Sequence, residues 1–91
     1  MRKAFEGKVF GSVQGVGFRY FTRETAEELG LTGWVRNMPD GTVEFRAEGS
    51  KDALEELIRR LKQGPVSGRV EKLNGDWFAA TGSFLRFDIE P

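Results

Sequence analysis

From Phe5 to Val13 the chain alternates: Phe5, Gly7, Val9, Gly11 and Val13 fall on one face, and Glu6, Lys8, Phe10 and Ser12 on the other. A period of two predicts a strand with one buried face. The glycines at 7 and 11 predict close approach of something packed on that face. After Gln14-Gly15-Val16-Gly17 the period changes. Phe18, Phe21, Thr25 and Leu29 recur at steps of three and four, with Arg23, Glu24, Glu27 and Glu28 opposite. That is the stripe of an amphipathic helix, and Gly30 sits where a C-terminal stop belongs. Leu31 to Met38 reads as a second strand. Pro39-Asp40-Gly41 supplies a hairpin turn, with proline pre-set for the first corner and glycine free to take a positive φ. Thr42 to Gly49 alternates again, with Val43, Phe45 and Ala47 on one face.

Ser50 is placed to cap a second helix, whose apolar stripe is Leu54, Leu57, Ile58 and Leu61 and whose end is Gly64-Pro65. Arg69 to Trp77 and Phe84 to Ile89 read as two further strands. The order is therefore βαββαβ with an extra C-terminal strand. Helices with one apolar stripe and strands with one apolar face predict a mostly antiparallel sheet covered on one face by two helices. This is the ferredoxin-like α+β sandwich. Such a scaffold hosts enzymes, RNA binders and regulatory modules alike, so function must be read from side chains.

Composition narrows the chemistry by exclusion. At 91 residues the chain is expected to form one domain, 1–91. Lysine plus arginine number 14, as do aspartate plus glutamate, which argues against a nucleic-acid partner that needs a basic surplus. There is no cysteine and no histidine. Thiolate nucleophiles, phosphohistidine chemistry and Ser-His-Asp hydrolysis are thereby ruled out. The first 20 residues carry charges and glycines rather than an apolar run, and no stretch approaches 18 apolar residues. A cytoplasmic protein without a membrane partner is the expectation. Glu24, Glu27 and Glu28 fit a solvated helix face, and no histidine or cysteine completes a metal set with them.

Two segments remain that can carry chemistry. The first is the strand-to-helix junction Gly11 to Arg19. Glycines at 15 and 17 let successive backbone N–H groups point inward, and such a concavity binds anions. The first helical turn adds unpaired N–H groups and the positive end of its dipole. Arg19 contributes a planar fork of donors that matches phosphate oxygens, although a cation at a helix N-terminus opposes the dipole unless an anion is bound there. The alternative is an ordinary glycine connection with a solvated arginine. The nucleotide-binding pattern G-x-x-x-x-G-K-[ST] is absent.

The second segment is the end of the second strand. A right-handed β-α-β unit makes the first two strands parallel, so Asn37 emerges at the same sheet edge as the glycine loop. With another strand between them the separation is about 10 Å, room for a phosphoryl group and a water. Leu31, Gly33 and Val35 share a parity that Asn37 continues, on the helix-covered side. Two roles stand open for its amide: holding a water, or capping the turn into Pro39-Asp40-Gly41. Phe10, Trp34 and Phe84 are placed on the open sheet face, either stacking bases or packing with one another.

Together these residues resemble the acylphosphatase family. Its first signature, G-x-V-Q-G-V-x-F-R, is matched from Gly11 through Arg19. Its second is matched by Gly33, Trp34, Val35, Arg36, Asn37, Gly41, Val43 and Gly49. The resemblance implies an enzyme that hydrolyses acyl phosphates to carboxylate and inorganic phosphate. Arg19 and Asn37 would be its catalytic residues, and the backbone of Gln14, Gly15, Val16, Gly17 and Phe18, with Arg19, would cradle the phosphate. It implies a small-molecule acyl phosphate as substrate, inorganic phosphate as product and inhibitor, and no metal or cofactor. A monomer is expected, with a dimer left open by the exposed aromatics. The rival within the same fold is a non-catalytic module binding phosphate or carbamoyl phosphate.

Overall fold

A computed structural model describes residues 1–91. The elements are β1 (Arg2–Ser12), α1 (Phe18–Glu28), β2 (Thr32–Asn37), β3 (Val43–Ser50), α2 (Lys51–Gln63), β4 (Arg69–Ala79) and β5 (Phe87–Glu90). They build one five-stranded sheet in the order β4-β1-β3-β2-β5. All neighbours are antiparallel except β2 and β5, which run parallel. Because β1 and β2 both run against β3, they are parallel to each other with β3 between them, as the sequence predicts. The C-terminal ends of β1, β2 and β5 therefore meet at one edge of the sheet.

One face of the sheet is buried beneath the helices. Phe5, Val9 and Val13 of β1 and its outgoing loop pack with Val35, Val43, Phe45 and Ala47. Phe18 and Ala26 of α1 and Leu54, Leu57 and Leu61 of α2 close the core, and all of these are at most 5% exposed. Each large side chain so buried contributes about 1.5–3 kcal/mol relative to exposure. The inward stripe of α1 is more polar than its period suggested. Thr22 and Thr25 are buried, satisfied by donating their hydroxyls to the carbonyls of Phe18 (2.9 Å) and Phe21 (2.8 Å).

The two strand glycines act differently. A Cβ on Gly7 would lie 2.5 Å from Cε1 of Phe45, so an aromatic ring does pack onto the strand there. At Gly11 the close neighbour is instead the carbonyl of Arg69 in β4, and φ is 131°. The register between β1 and β4 shifts at this point, between Phe10 and Gly11. Such a bulge adds local twist and re-aims the chain as it enters the loop.

The last strand is shorter than predicted. Phe84 lies outside it, and β5 begins at Phe87. Residues 80–86 form a crossover that carries the chain from the β4 edge to the β5 edge. Glu48 on β3 pins this crossover. Its carboxylate is fully buried and accepts from the N–H groups of Thr81 and Gly82 (3.0 Å each), the Thr81 hydroxyl (2.9 Å) and the Arg46 guanidinium (3.1 and 2.9 Å). Burial alone would push this carboxyl up. The Gly82 N–H, Arg46 and Thr81 outweigh it and hold the group below the ordinary glutamate range. Arg46 also reaches Glu6 at 2.7 Å.

Two aromatics of the open face sit beneath cations rather than against one another. Lys72 lies 4.6 Å from the Phe10 ring centre, and Arg36 4.6 Å from that of Trp34. No helix is long and apolar enough to cross a membrane.

Candidate active site

The loop between β1 and α1 turns on Gly15 (φ 75°) and Gly17 (φ 77°). A Cβ at either would touch nothing within 4 Å, so the left-handed backbone, not crowding, calls for glycine. Gly17 is also the N-cap of α1 and offers no side-chain cap. The first helical hydrogen bond runs from the Phe21 N–H to the Gly17 carbonyl at 3.0 Å. The backbone N–H groups of residues 14–20 donate to no acceptor within the protein. They form a concave run of free donors at the positive end of a helix.

Part of this run lines a cavity of ≈ 170 Å³. Gly15, Gly17, Phe18 and Arg19 form its loop-and-helix wall, Val13 and Tyr20 complete that wall, and Asn37 enters from β2. Arg19 has no carboxylate partner, unlike Arg36, Arg46, Arg59, Arg60 and Arg86. No acidic residue occupies the first turn of α1. The one hydrogen bond of its guanidinium is donation from Nη1 to the Glu90 carbonyl at 3.3 Å. The fork is held by β5, and its charge remains available.

Asn37 ends β2 opposite Val43 and continues the buried row Leu31, Gly33, Val35. Its two possible roles are separated by the neighbouring turn, which is closed without it. Met38 N–H donates to Thr42 O (2.8 Å) and Gly41 N–H to Met38 O (3.1 Å). The cap is Asp40, whose Oδ1 accepts from the Thr42 N–H (3.0 Å) and hydroxyl (2.5 Å). The Thr42 hydroxyl, its N–H and nearby Lys8 hold the Asp40 carboxyl below its usual range. Asn37 thus keeps an amide without an intramolecular partner, beside the cavity.

Of the loop residues singled out from sequence, Gln14 and Val16 do not line the cavity. Val16 packs against the core. Gln14 bridges instead: its Nε2 donates to the carbonyls of Met38 and Thr42, each at 2.8 Å. This ties the glycine loop to the hairpin that carries Asn37. Sequence reasoning missed three contributions to the site. The Gln14 strut and the Glu90 support both end on backbone carbonyls, which leave no mark in a side-chain pattern. Tyr20 was hidden on the outward side of the helix.

A family model described as acylphosphatase matches residues 5–89. The chain belongs to the acylphosphatase family. It is 48% identical over 87 residues to the acylphosphatase of Salinibacter ruber, a match covering 96% of this chain and 92% of that one. The crystal structure of acylphosphatase from Bacillus subtilis has the same fold, with a TM-score of 0.94 at 36% identity over 98% of this chain and 99% of that one. The activity is accordingly that of an acylphosphatase, an enzyme hydrolysing the mixed anhydride of a carboxylic and a phosphoric acid. A solved structure of full-length HypF in the phosphate- and nucleotide-bound form contains a related unit (TM-score 0.86, 26% identity), but the match spans only 12% of that chain. The two acylphosphatases above are matched over nine-tenths or more of their length, and the binding-module reading is not favoured.

Proposed function

We propose that Arg19 and Asn37 are the catalytic residues of this acylphosphatase and that the loop from Gln14 to Arg19 binds the phosphoryl group. Water held by the Asn37 amide attacks phosphorus in line, and the carboxylate leaves on the opposite side. The free N–H groups of the loop and the Arg19 fork stabilise charge on the equatorial oxygens. A carboxylate leaves readily, its conjugate acid having a pKa of about 4, so no general acid is needed. That suits a chain without histidine. An amide is a poor base, so the attacking water gives its proton to a phosphate oxygen of the substrate. Inorganic phosphate is then both product and competitive inhibitor.

The observation that carries this reading is the shared cavity: a guanidinium without a counter-ion and an amide without a partner line one space with the glycine loop. The charge needed to hold a dianion comes from these groups. The same reading has residues 1–91 working as one unit on a small molecule, in the cytoplasm and without a cofactor.

The test is hydrolysis of benzoyl phosphate in metal-free buffer. Asn37→Ala should keep the fold and inorganic-phosphate inhibition but lower kcat about 10²-fold, near 3 kcal/mol of transition-state stabilisation. Arg19→Lys should lose most activity and weaken phosphate binding as well, because a point charge cannot reproduce the fork. Wild-type turnover in Asn37→Ala would overturn the water-holding role.

A further inference from the structure

We infer that Tyr20 is the specificity-determining residue for the acyl group, favouring acyl phosphates that carry an aromatic acyl group. The inference rests on the reading above and extends it from the phosphate end of the substrate to the other end. At ≈ 170 Å³ the cavity is smaller than the 300–1,000 Å³ usual for sites that enclose a whole ligand. It suits a phosphoryl group and one water, whose share of volume is about 30 Å³. Whatever is attached to the phosphate must therefore lie at the rim.

Little apolar surface is available there. Val13 and Phe18 line the cavity but are each 1% exposed, their surfaces already committed to the core. The glycines offer no side chain, and Arg19 and Asn37 are polar. Tyr20 is the exception, 58% exposed while still lining the cavity. Its ring is also held in place. The Arg23 guanidinium, which has no carboxylate partner, sits 5.0 Å from the ring centre. A flat acyl group leaving the phosphate site can stack on this ring, whereas an acetyl group offers it no ring face.

The experiment compares kcat/KM for benzoyl and acetyl phosphate in the wild type, Tyr20→Ala and Tyr20→Phe. Tyr20→Ala should lower the benzoyl-to-acetyl ratio about three- to tenfold, the worth of one aromatic pair, mostly through KM. Tyr20→Phe should keep the ratio, since the ring and not the hydroxyl makes the contact. An unchanged ratio in Tyr20→Ala, including equal losses on both substrates, overturns the inference. So does a Tyr20→Phe variant that loses as much as Tyr20→Ala. Failure of the underlying catalytic reading would look different: Asn37→Ala would then retain turnover on both substrates, whatever the Tyr20 variants do.

Discussion

Both amide hydrogens of Gln14 reach carbonyls of the β2–β3 hairpin, so one side chain fixes the glycine loop relative to Asn37. In Gln14→Leu two bonds of roughly 0.5–1.5 kcal/mol each disappear, and the expected loss of stability is about 1–3 kcal/mol. A purely structural strut would cost stability alone. On the proposed assignment this one spans the reacting site, so kcat should fall further than phosphate affinity, read from urea midpoints beside kcat and phosphate inhibition constants. Asn37 itself was legible from its parity with Leu31, Gly33 and Val35, and Arg19 from its place after two glycines. That Asn37 does not cap the turn was not legible. That depended on Asp40 closing the turn with Thr42, a contact between side chains that neither period nor spacing encodes.

The strands that were hardest to read are those at the two edges of the sheet. β4 lies at the sheet edge and most of its residues are exposed, so it shows little of the alternation that betrayed β1 and β3. Alternation also put Glu48 on the open face, where a carboxylate is normally solvated. Its burial comes from the crossover at Thr81 and Gly82, more than thirty residues away. A glutamine amide here keeps one acceptor oxygen, so it cannot serve both the two N–H groups on Oε1 and Arg46 on Oε2. Glu48→Gln should cost about 3 kcal/mol, enough to lower Tm by about 10 °C or more in a domain of this size. Glu48 pairs with Ala4, whereas the site lies beyond the Val9–Val43 pair at the other end of these strands. Activity per folded molecule should accordingly survive, which calorimetry and initial rates together would check.

Taken as a whole, the molecule holds three carboxyl groups below their ordinary range: Glu48, Asp40 and Glu56. Hydrogen bonds from Arg59 and then Arg60 bring Glu56 to about 2. A depressed carboxyl stabilises the fold above its unfolded pKa and ceases to do so as pH falls through its folded one. The urea midpoint should therefore be level above about pH 5 and decline below about pH 4.5, the ordinary glutamate value. Glu56 is partly open to solvent, so salt should flatten its share. Glu48 is buried, so Glu48→Gln should remove a salt-resistant part of the slope. A decline identical in both proteins would show that the anchor does not titrate in this window. The general architecture was legible because periods of two and 3.6 switch cleanly between elements. The path of the crossover was not, because tertiary hydrogen bonds set it.

One contact has a bearing on how the enzyme comes into being. The guanidinium of Arg19 leans on a carbonyl 71 positions further along the chain. A growing polypeptide thus carries its glycine loop long before it carries the peptide group that steadies the arginine. The wall of the cavity would then reach its final form late, when β5 docks beside β2.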